Sequence, residues 1–449
     1  MTATSVPLRG GVPGAVSAGR ALLGEREVVL ARCDPAVRLG ALTPADGETL
    51  ADASAHALEA RLPLVITIAS SGADVTEGLA ASFGWGIAAR AITICSGVVP
   101  VLMVAHGPAV SGPALLLGLA DHVVMTTDAY AFVSGPQMVH QITNVVVDTD
   151  ELGGAGVHAS MTGLAALVVP DIDAALDAIA ALLTLLPSHV DELPPHLATD
   201  DPVDRLTPEL RSLIPSTSTG SYDVRDVIAA IVDDGDLLEL RGRWAPNLVT
   251  AFATVAGHPI GVVANQPQSI AGTLDIPASQ KGARFVAFCD AFNIPLLTLI
   301  DTPGFYPGKD LEWRGMIRHG AQLAFAYARA TVPRIAIVLR KAYGGAYIVM
   351  DSRDMGSDVY LAWPSAEVAV MGAKGAVEIL HRKATDEQRV ELELDYEERL
   401  LNPWPAAERG SIDAVIDPAE TRRHVVAAVQ LLAGKQEHLP PRRHDNGPL

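Results

Sequence analysis

The sequence predicts an α/β protein made of two tandem halves, and three observations lead there. Apolar runs of strand length end abruptly in glycine turns and alternate with segments of helical period, the pattern of sheets whose loops gather at one edge. The pattern occurs twice: Gly72 and Gly112 lie 40 positions apart, Gly304 and Gly345 lie 41 apart, and a strand-length run ends at or near each. With 449 residues, 49% of them hydrophobic, the chain can fill two cores.

Taken in order, residues 1–19 read as a disordered lead-in. Glu27–Cys33 and Leu62–Ala69 have strand character, and Gly47–Arg61 between them has helical spacing at Leu50, Ala53, Ala57 and Leu58. The turn Ser70–Asp74 leads to a helix of small residues, then to a strand at Val98–Ala105 and a second turn at Gly107–Pro113. Two short apolar runs and a helix over Asp171–Leu186 complete this half. Pro187–Pro215, rich in Pro, Asp, Ser and Thr, marks the boundary, giving an N-terminal domain over 20–215 and a C-terminal domain over 216–449. In the second half Ile294–Ile300 ends in Asp301-Thr302-Pro303-Gly304. A helical stripe at Ile317, Ala321 and Ala324 follows, and Ile335–Leu339 ends in a turn containing Gly344-Gly345, with a helix expected from Ala346.

Composition excludes several classes. A net charge of -19 argues against nucleic acid and anionic membranes as partners, and no apolar run has transmembrane length. Cys33, Cys95 and Cys289 are too far apart for a metal knuckle or a disulfide framework and fit a reducing cytoplasm. His140, His158 and His319 are scattered, with no carboxylate at metal-ligand spacing, so no metal is expected. Neither GxGxxG nor GxxxxGK[ST] follows a strand, and nothing pairs Ser70, Ser71 or Ser111 with a base. What remains is backbone chemistry. Gly344 and Gly345 have no Cβ, so a ligand can come close to their N–H groups. A helix starting there adds free N–H groups and a positive dipole end.

Three stretches make this specific: Asp301-Thr302-Pro303-Gly304-Phe305-Tyr306-Pro307-Gly308, Arg340-Lys341-Ala342-Tyr343-Gly344-Gly345-Ala346-Tyr347, and Ala362-Trp363-Pro364 followed by Val370-Met371-Gly372-Ala373. They resemble the carboxyltransferase β subunits of biotin-dependent acyl-CoA carboxylases, in the propionyl-CoA/acetyl-CoA branch, from about Tyr222 to the C-terminus. The resemblance implies two crotonase-like domains, each a ββα superhelix, assembled as a hexamer (a dimer of trimers). It implies carboxybiotin carried on a separate biotin carboxylase/biotin carrier α subunit, acyl-CoA as substrate, and no metal. In the family the biotin ureido anion left by CO2 release removes the α-proton of the thioester, and the enolate attacks CO2. Two oxyanion holes of backbone N–H groups suffice for this, one donor being worth roughly 3 kcal/mol of barrier.

Carried over by position, Gly345 and Ala346 match the hole for the ureido oxygen, and Ser111 and Gly112 match the hole for the thioester oxygen. Ser71, Gly72, Tyr343, Gly344 and Ile348 match substrate-side positions, Ile348 being where the family sets acyl-chain size. Gly304, Phe305 and Gly372 match the biotin side. Asn265 and Asp275 read as turn residues.

The N-terminal half departs from the family. Asp74 and Gly156 stand where the family has arginines, and Leu115 and Leu116 replace a tyrosine and a serine. Losing cations should weaken the hold on CoA phosphates. The leading expectation is a carboxyltransferase acting on an acyl thioester or an unusual acceptor. Two alternatives stand beside it: a biotin-independent decarboxylase of malonyl-type thioesters, and a non-catalytic partner subunit of a carboxylase complex.

Overall fold

The computed structural model describes residues 6–7, 14–215, 217, 220–435, 437–441 and 446–448. The chain divides into two units, Met1–Pro195 with Arg241–Trp244, and His196–Leu240 with Ala245–Leu449. The division falls inside the proline-rich stretch, at Pro195 instead of Pro215.

The first unit carries an eight-stranded sheet: β1 (Val6–Pro7), β2 (Val16–Leu23), β3 (Arg26–Cys33), β4 (Leu64–Ser70), β5 (Val101–Val110), β6 (His122–Thr126), β7 (Tyr130–Phe132) and β8 (Ala165–Val169). The order is β1-β2-β3-β4-β5-β6-β8, with β7 beside the end of β5. β1 to β3 pair antiparallel and the other pairings are parallel. Every residue of β4 is buried, as expected of a parallel strand covered on both faces. Thr43 and Asp46 form a capping box that starts the helix Pro44–Ala60. This helix packs on Leu79–Cys95 closely enough that a Cβ on Gly47 would lie 2.0 Å from the Gly84 carbonyl oxygen.

The lead-in is shorter than expected. β2 begins at Val16 and pairs with β3 from Val16↔Cys33 to Leu23↔Arg26. Val16, Gly19, Ala21 and Leu23 are all buried, so an alternating apolar face holds this segment in the sheet. Residues 1–5 and 8–13 of the expected lead-in lie outside the described residues. β5 also runs on through Gly107–Val110, because β7 gives that end of the strand a partner.

The second unit repeats the plan with β9 (Leu237–Leu240), β10 (Leu248–Val255), β11 (His258–Asn265), β12 (Leu296–Thr302), β13 (Arg334–Tyr343), β14 (Val359–Ala362), β15 (Glu367–Ala369) and β16 (Ala414–Val415). The order is β16-β14-β13-β12-β11-β10-β9, with β15 beside the end of β13. The repeat extends to single hydrogen bonds. Leu42 N–H donates to Gly72 O at 2.9 Å and Asp74 N–H to Leu42 O at 2.9 Å; Leu274 N–H donates to Gly304 O at 3.1 Å and Tyr306 N–H to Leu274 O at 2.8 Å. The Ser70 hydroxyl accepts from Gly72 N–H at 3.2 Å, and the Thr302 hydroxyl accepts from Gly304 N–H at 3.4 Å. By position in this repeat, Ser111 corresponds to Gly344 and Gly112 to Gly345.

The segment of helical period forms the helix Met316–Arg329. Met316, Gly320, Leu323 and Tyr327 are buried, whereas Ile317 is 83% exposed. The apolar stripe at 317, 321 and 324 therefore points away from the core of this unit.

Candidate active site

In the second unit the site forms where two neighbouring parallel strands end. The β12–β13 register slips between Ile300 and Thr302, and this lifts the chain out into Thr302–Phe305. β13 runs straight into the helix Gly344–Val349, two residues earlier than the expected start. Asp301 ties the two strand ends together. Its carboxylate accepts from the Tyr222 hydroxyl at 2.9 Å, from Arg340 Nε at 3.1 Å and from Lys341 N–H at 3.1 Å. Its own N–H donates to the Asn265 side chain at 3.2 Å. Burial pushes the Asp301 carboxyl up, Arg340 pulls it back, and the buried Tyr222 hydroxyl is pushed well up. Arg340 Nη1 also donates to Gly220 O at 2.8 Å, so the chain before Tyr222 is fixed to the same network. Asn265 and Asp275 serve local structure: Asn265 donates to Gly272 O at 3.2 Å, and Asp275 caps the helix Ile276–Ala291.

Above this brace the turn is open. Gly344 has φ +60, a conformation that favours glycine, and a Cβ there would meet the Val370 carbonyl oxygen at 3.1 Å. Gly345 is exposed, and a Cβ built on it would meet only Phe305, at 3.7 Å. Gly304 has nothing within 4 Å of its Cβ position. Gly345 and Ala346 lie in the first turn of the helix, so their N–H groups have no carbonyl partner within it. Ala346 itself has 0% exposure, and Gly345 therefore presents the accessible donor. Tyr343 is half-buried, its hydroxyl donates to Glu367, and its ring lies 3.5 Å from the Cβ position of Gly372. Ile348 is half-buried on the same short helix.

The first unit builds the matching turn differently. Ser111 takes the place of Gly344 and has φ 62, ψ -123, a strained conformation for any residue with a Cβ. Its N–H donates to the Phe132 carbonyl on β7 at 2.9 Å. The expectation that this N–H faces a thioester oxygen is thereby corrected, because β7 already takes the donor. Pro113 has no N–H, so Gly112 is the remaining donor of this turn. Gly112 is buried, and a Cβ on it would fall 2.8 Å from the Trp85 ring. Ser71 is exposed at the neighbouring turn, where its N–H donates to Leu39 O at 3.0 Å, and Gly72 has φ +120. Leu115 is 48% exposed beside the turn and Leu116 is buried.

The charge at Asp74 is not free. Its carboxylate accepts from Thr76 N–H at 3.0 Å and from the Thr76 hydroxyl at 2.6 Å, and Arg38 lies 3.5 Å away. Thr76 and Arg38 hold this carboxyl below the usual range. Arg38 was overlooked because only the pairing of residues 39–42 with 71–74 brings it to this turn. His158, in the stretch lacking an arginine, is engaged with Ala131 O at 2.8 Å and Thr162 at 2.8 Å. Among the described residues no group of three or more His, Cys, Asp and Glu could hold a metal ion, and no helix is long and apolar enough to cross a membrane. The chemistry this leaves is hydrogen-bond donation from main-chain turns to a developing oxyanion.

Comparison with known proteins identifies the family. The carboxyl transferase domain family matches residues 11–447. The propionyl-CoA carboxylase beta chain of Saccharopolyspora erythraea is 42% identical over 429 residues, covering 91% of this chain and 79% of that protein. Methylmalonyl-CoA decarboxylase subunit alpha of Propionigenium modestum is 40% identical over 444 residues, covering 97% and 85%. The crystal structure of the transcarboxylase 12S hexamer, with methylmalonyl-coenzyme A and methylmalonic acid bound, superimposes with a TM-score of 0.95 at 43% identity, covering 98% of this chain and 86% of that one. With two crotonase-like units, each ending its central strands in a glycine-bearing turn, this chain belongs to the carboxyl transferase domain family and is a carboxyltransferase of the acyl-CoA carboxylase β-subunit kind.

Proposed function

We propose that the chain moves a carboxyl group from carboxybiotin, delivered on a separate carrier protein, to a short-chain acyl-CoA. The observation that carries this reading is Gly345, an exposed residue without a Cβ in the first turn of a helix, whose N–H has no partner in that helix. The open faces of Gly345 and Gly304 beside Phe305 suit a flat ureido ring. When bound, that ring supplies the carboxyl group and a base. Gly345, with Ala346 behind it, holds negative charge on the ureido oxygen; Gly112 holds the charge of the thioester enolate, with Ser71 and Gly72 lining the acyl side. Ile348 bounds the acyl chain, with Tyr343 beside it on the substrate side, and Gly372 supports the biotin side. The C-terminal unit is thus the carboxybiotin side and the N-terminal unit the acyl side. The partners are a biotin carboxylase/biotin carrier subunit and further copies of this chain in a hexamer, as in the 12S protein, within the cytoplasm.

The test supplies purified protein with carboxylated carrier and propionyl-CoA and follows formation of methylmalonyl-CoA. Transfer is expected, together with biotin-dependent release of propionyl-CoA from methylmalonyl-CoA in the reverse direction. Absence of transfer in both directions, or loss of carboxyl from malonyl-type thioesters without biotin, would overturn the proposal.

A further inference from the structure

We propose that Asp351 is a positioning residue for the Gly345 turn, clasping the segment that leaves its helix onto Arg334 at the start of the strand that enters it. This inference rests on the carboxyltransferase reading of that turn. The helix Gly344–Val349 hands its last carbonyls to the segment behind it: Met350 N–H donates to Ala346 O at 3.1 Å, and Ser352 N–H to Ile348 O at 3.3 Å. Asp351, between them, has φ 61 and no exposed surface. Its Oδ1 accepts from Arg334 Nη1 at 2.8 Å, with the two side chains 0% and 3% exposed.

Arg334 is in turn anchored to other segments. Its Nη1 donates to Tyr327 O at 2.7 Å and its Nη2 to Met355 O at 3.2 Å and Gly356 O at 2.5 Å. Strand β13, the Gly344-Gly345 turn and the returning helix therefore form a loop closed by one buried ion pair. A strained residue persists only where its surroundings over-determine it, and here the ion pair does so.

The clasp is finely balanced. Asp351 Oδ2, Ser352 Oγ and Arg334 Nε are buried without hydrogen-bond partners. Charged or titratable groups facing Asp351 are Arg334 and Lys435, which favour its ionised form, and Asp358, which opposes it; the hydroxyls of Tyr327 and Tyr360 also lie within its field. Burial pushes the carboxyl up to about 7, against the pull of Arg334. The sign follows directly. Because the pKa is raised, this group's contribution to global stability grows as pH falls from 7 toward the ordinary carboxylate range. Protonation nevertheless discharges the clasp and leaves Arg334 a buried cation. Any opening that wets the carboxyl returns it toward the ordinary range, so by the same sign acid keeps the segment shut while removing the charge that orients Arg334 and sets the Gly345 donor.

The experiment follows biotin-dependent release of propionyl-CoA from methylmalonyl-CoA in the wild type and in Asp351→Asn, between about pH 5.5 and 9. In the wild type, kcat should fall on the acid side with a midpoint near 7 while KM for methylmalonyl-CoA stays constant. Asp351→Asn should lose about tenfold or more of kcat at high pH, as expected for a displaced donor, and show no acid limb. A variant with wild-type kcat and an unchanged limb would overturn the inference. A second measurement covers a variant that fails to fold and a wild type that shows no carboxyl transfer, the latter being a failure of the functional reading alone. Hydrogen exchange of the wild type, corrected for intrinsic rates, should show the 348–350 amides about fivefold more protected at pH 6 than at pH 8, with β13 unchanged. Equal protection at both pH values would overturn the clasp whatever the activity.

Discussion

Replacing Gly345 with alanine separates chemistry from folding in one variant. No positive φ constrains this glycine, and a Cβ on it meets only the Phe305 ring, at 3.7 Å, an ordinary van der Waals contact. In a helical turn that tolerates it, alanine restricts the unfolded chain and should raise stability by about 0.4–1 kcal/mol. The same methyl group stands on the open face, where it obstructs approach to the Gly345 N–H. Losing one oxyanion donor typically lowers kcat by about 10²–10³, close to 3 kcal/mol of barrier. Gly345→Ala should therefore be slightly more stable and nearly inactive. Gly344→Ala, one residue away, should behave in the opposite sense. At φ +60, with the Val370 carbonyl oxygen 3.1 Å from its Cβ, it should destabilise the fold by about 1–2 kcal/mol. Thermal melts and the biotin-dependent release of propionyl-CoA, run on both variants, make the comparison. A Gly345→Ala protein that keeps wild-type kcat would refute the assignment of this turn as an oxyanion donor.

Other outcomes follow from neighbouring features. Ser111→Gly removes a strained φ of 62 and should gain about 1 kcal/mol in denaturant unfolding, whereas a loss would mean the serine side chain does something its backbone does not reveal. Tyr222→Phe deletes the hydroxyl that donates to Asp301 at 2.9 Å and should lower stability by about 1–3 kcal/mol; an unchanged denaturation midpoint would remove Tyr222 from the brace. All three cysteines are buried, and burial pushes Cys33 and Cys95 up to about 11, so a thiol reagent at neutral pH should label none in the folded protein and all three after denaturation.

The glycine turns were legible in the sequence because they are local. Asp301-Thr302-Pro303-Gly304 and Tyr343-Gly344-Gly345 each interrupt an apolar run, and a chain that must reverse beside a ligand announces it in consecutive residues. The near-equal spacing of Gly72 to Gly112 and of Gly304 to Gly345 was likewise readable, and the repeat extends to paired hydrogen bonds at Leu42 and Leu274. The helical period at Ile317, Ala321 and Ala324 was readable, but a stripe of alanines leaves the inward face of the helix Met316–Arg329 undetermined until Leu323 and Tyr327 find the core. The start of β2 was missed because its short alternation becomes decisive only when β3 supplies a partner.

The sequence by itself determined which turns lack a Cβ, how they are spaced, and so where main-chain donors can be approached closely. Tertiary structure decided which of those donors are free. Pairing with β7 occupies the Ser111 N–H, core packing buries Ala346, and the fold of residues 38–42 against 71–74 sets Arg38 beside Asp74. It also closed Asp351 onto Arg334, 17 residues away in sequence and in contact only once β13 and its helix have folded back. The physical reason is the same in each case: a glycine's freedom is a property of one residue, whereas the availability of a hydrogen or the pairing of a charge depends on whatever the rest of the chain brings alongside.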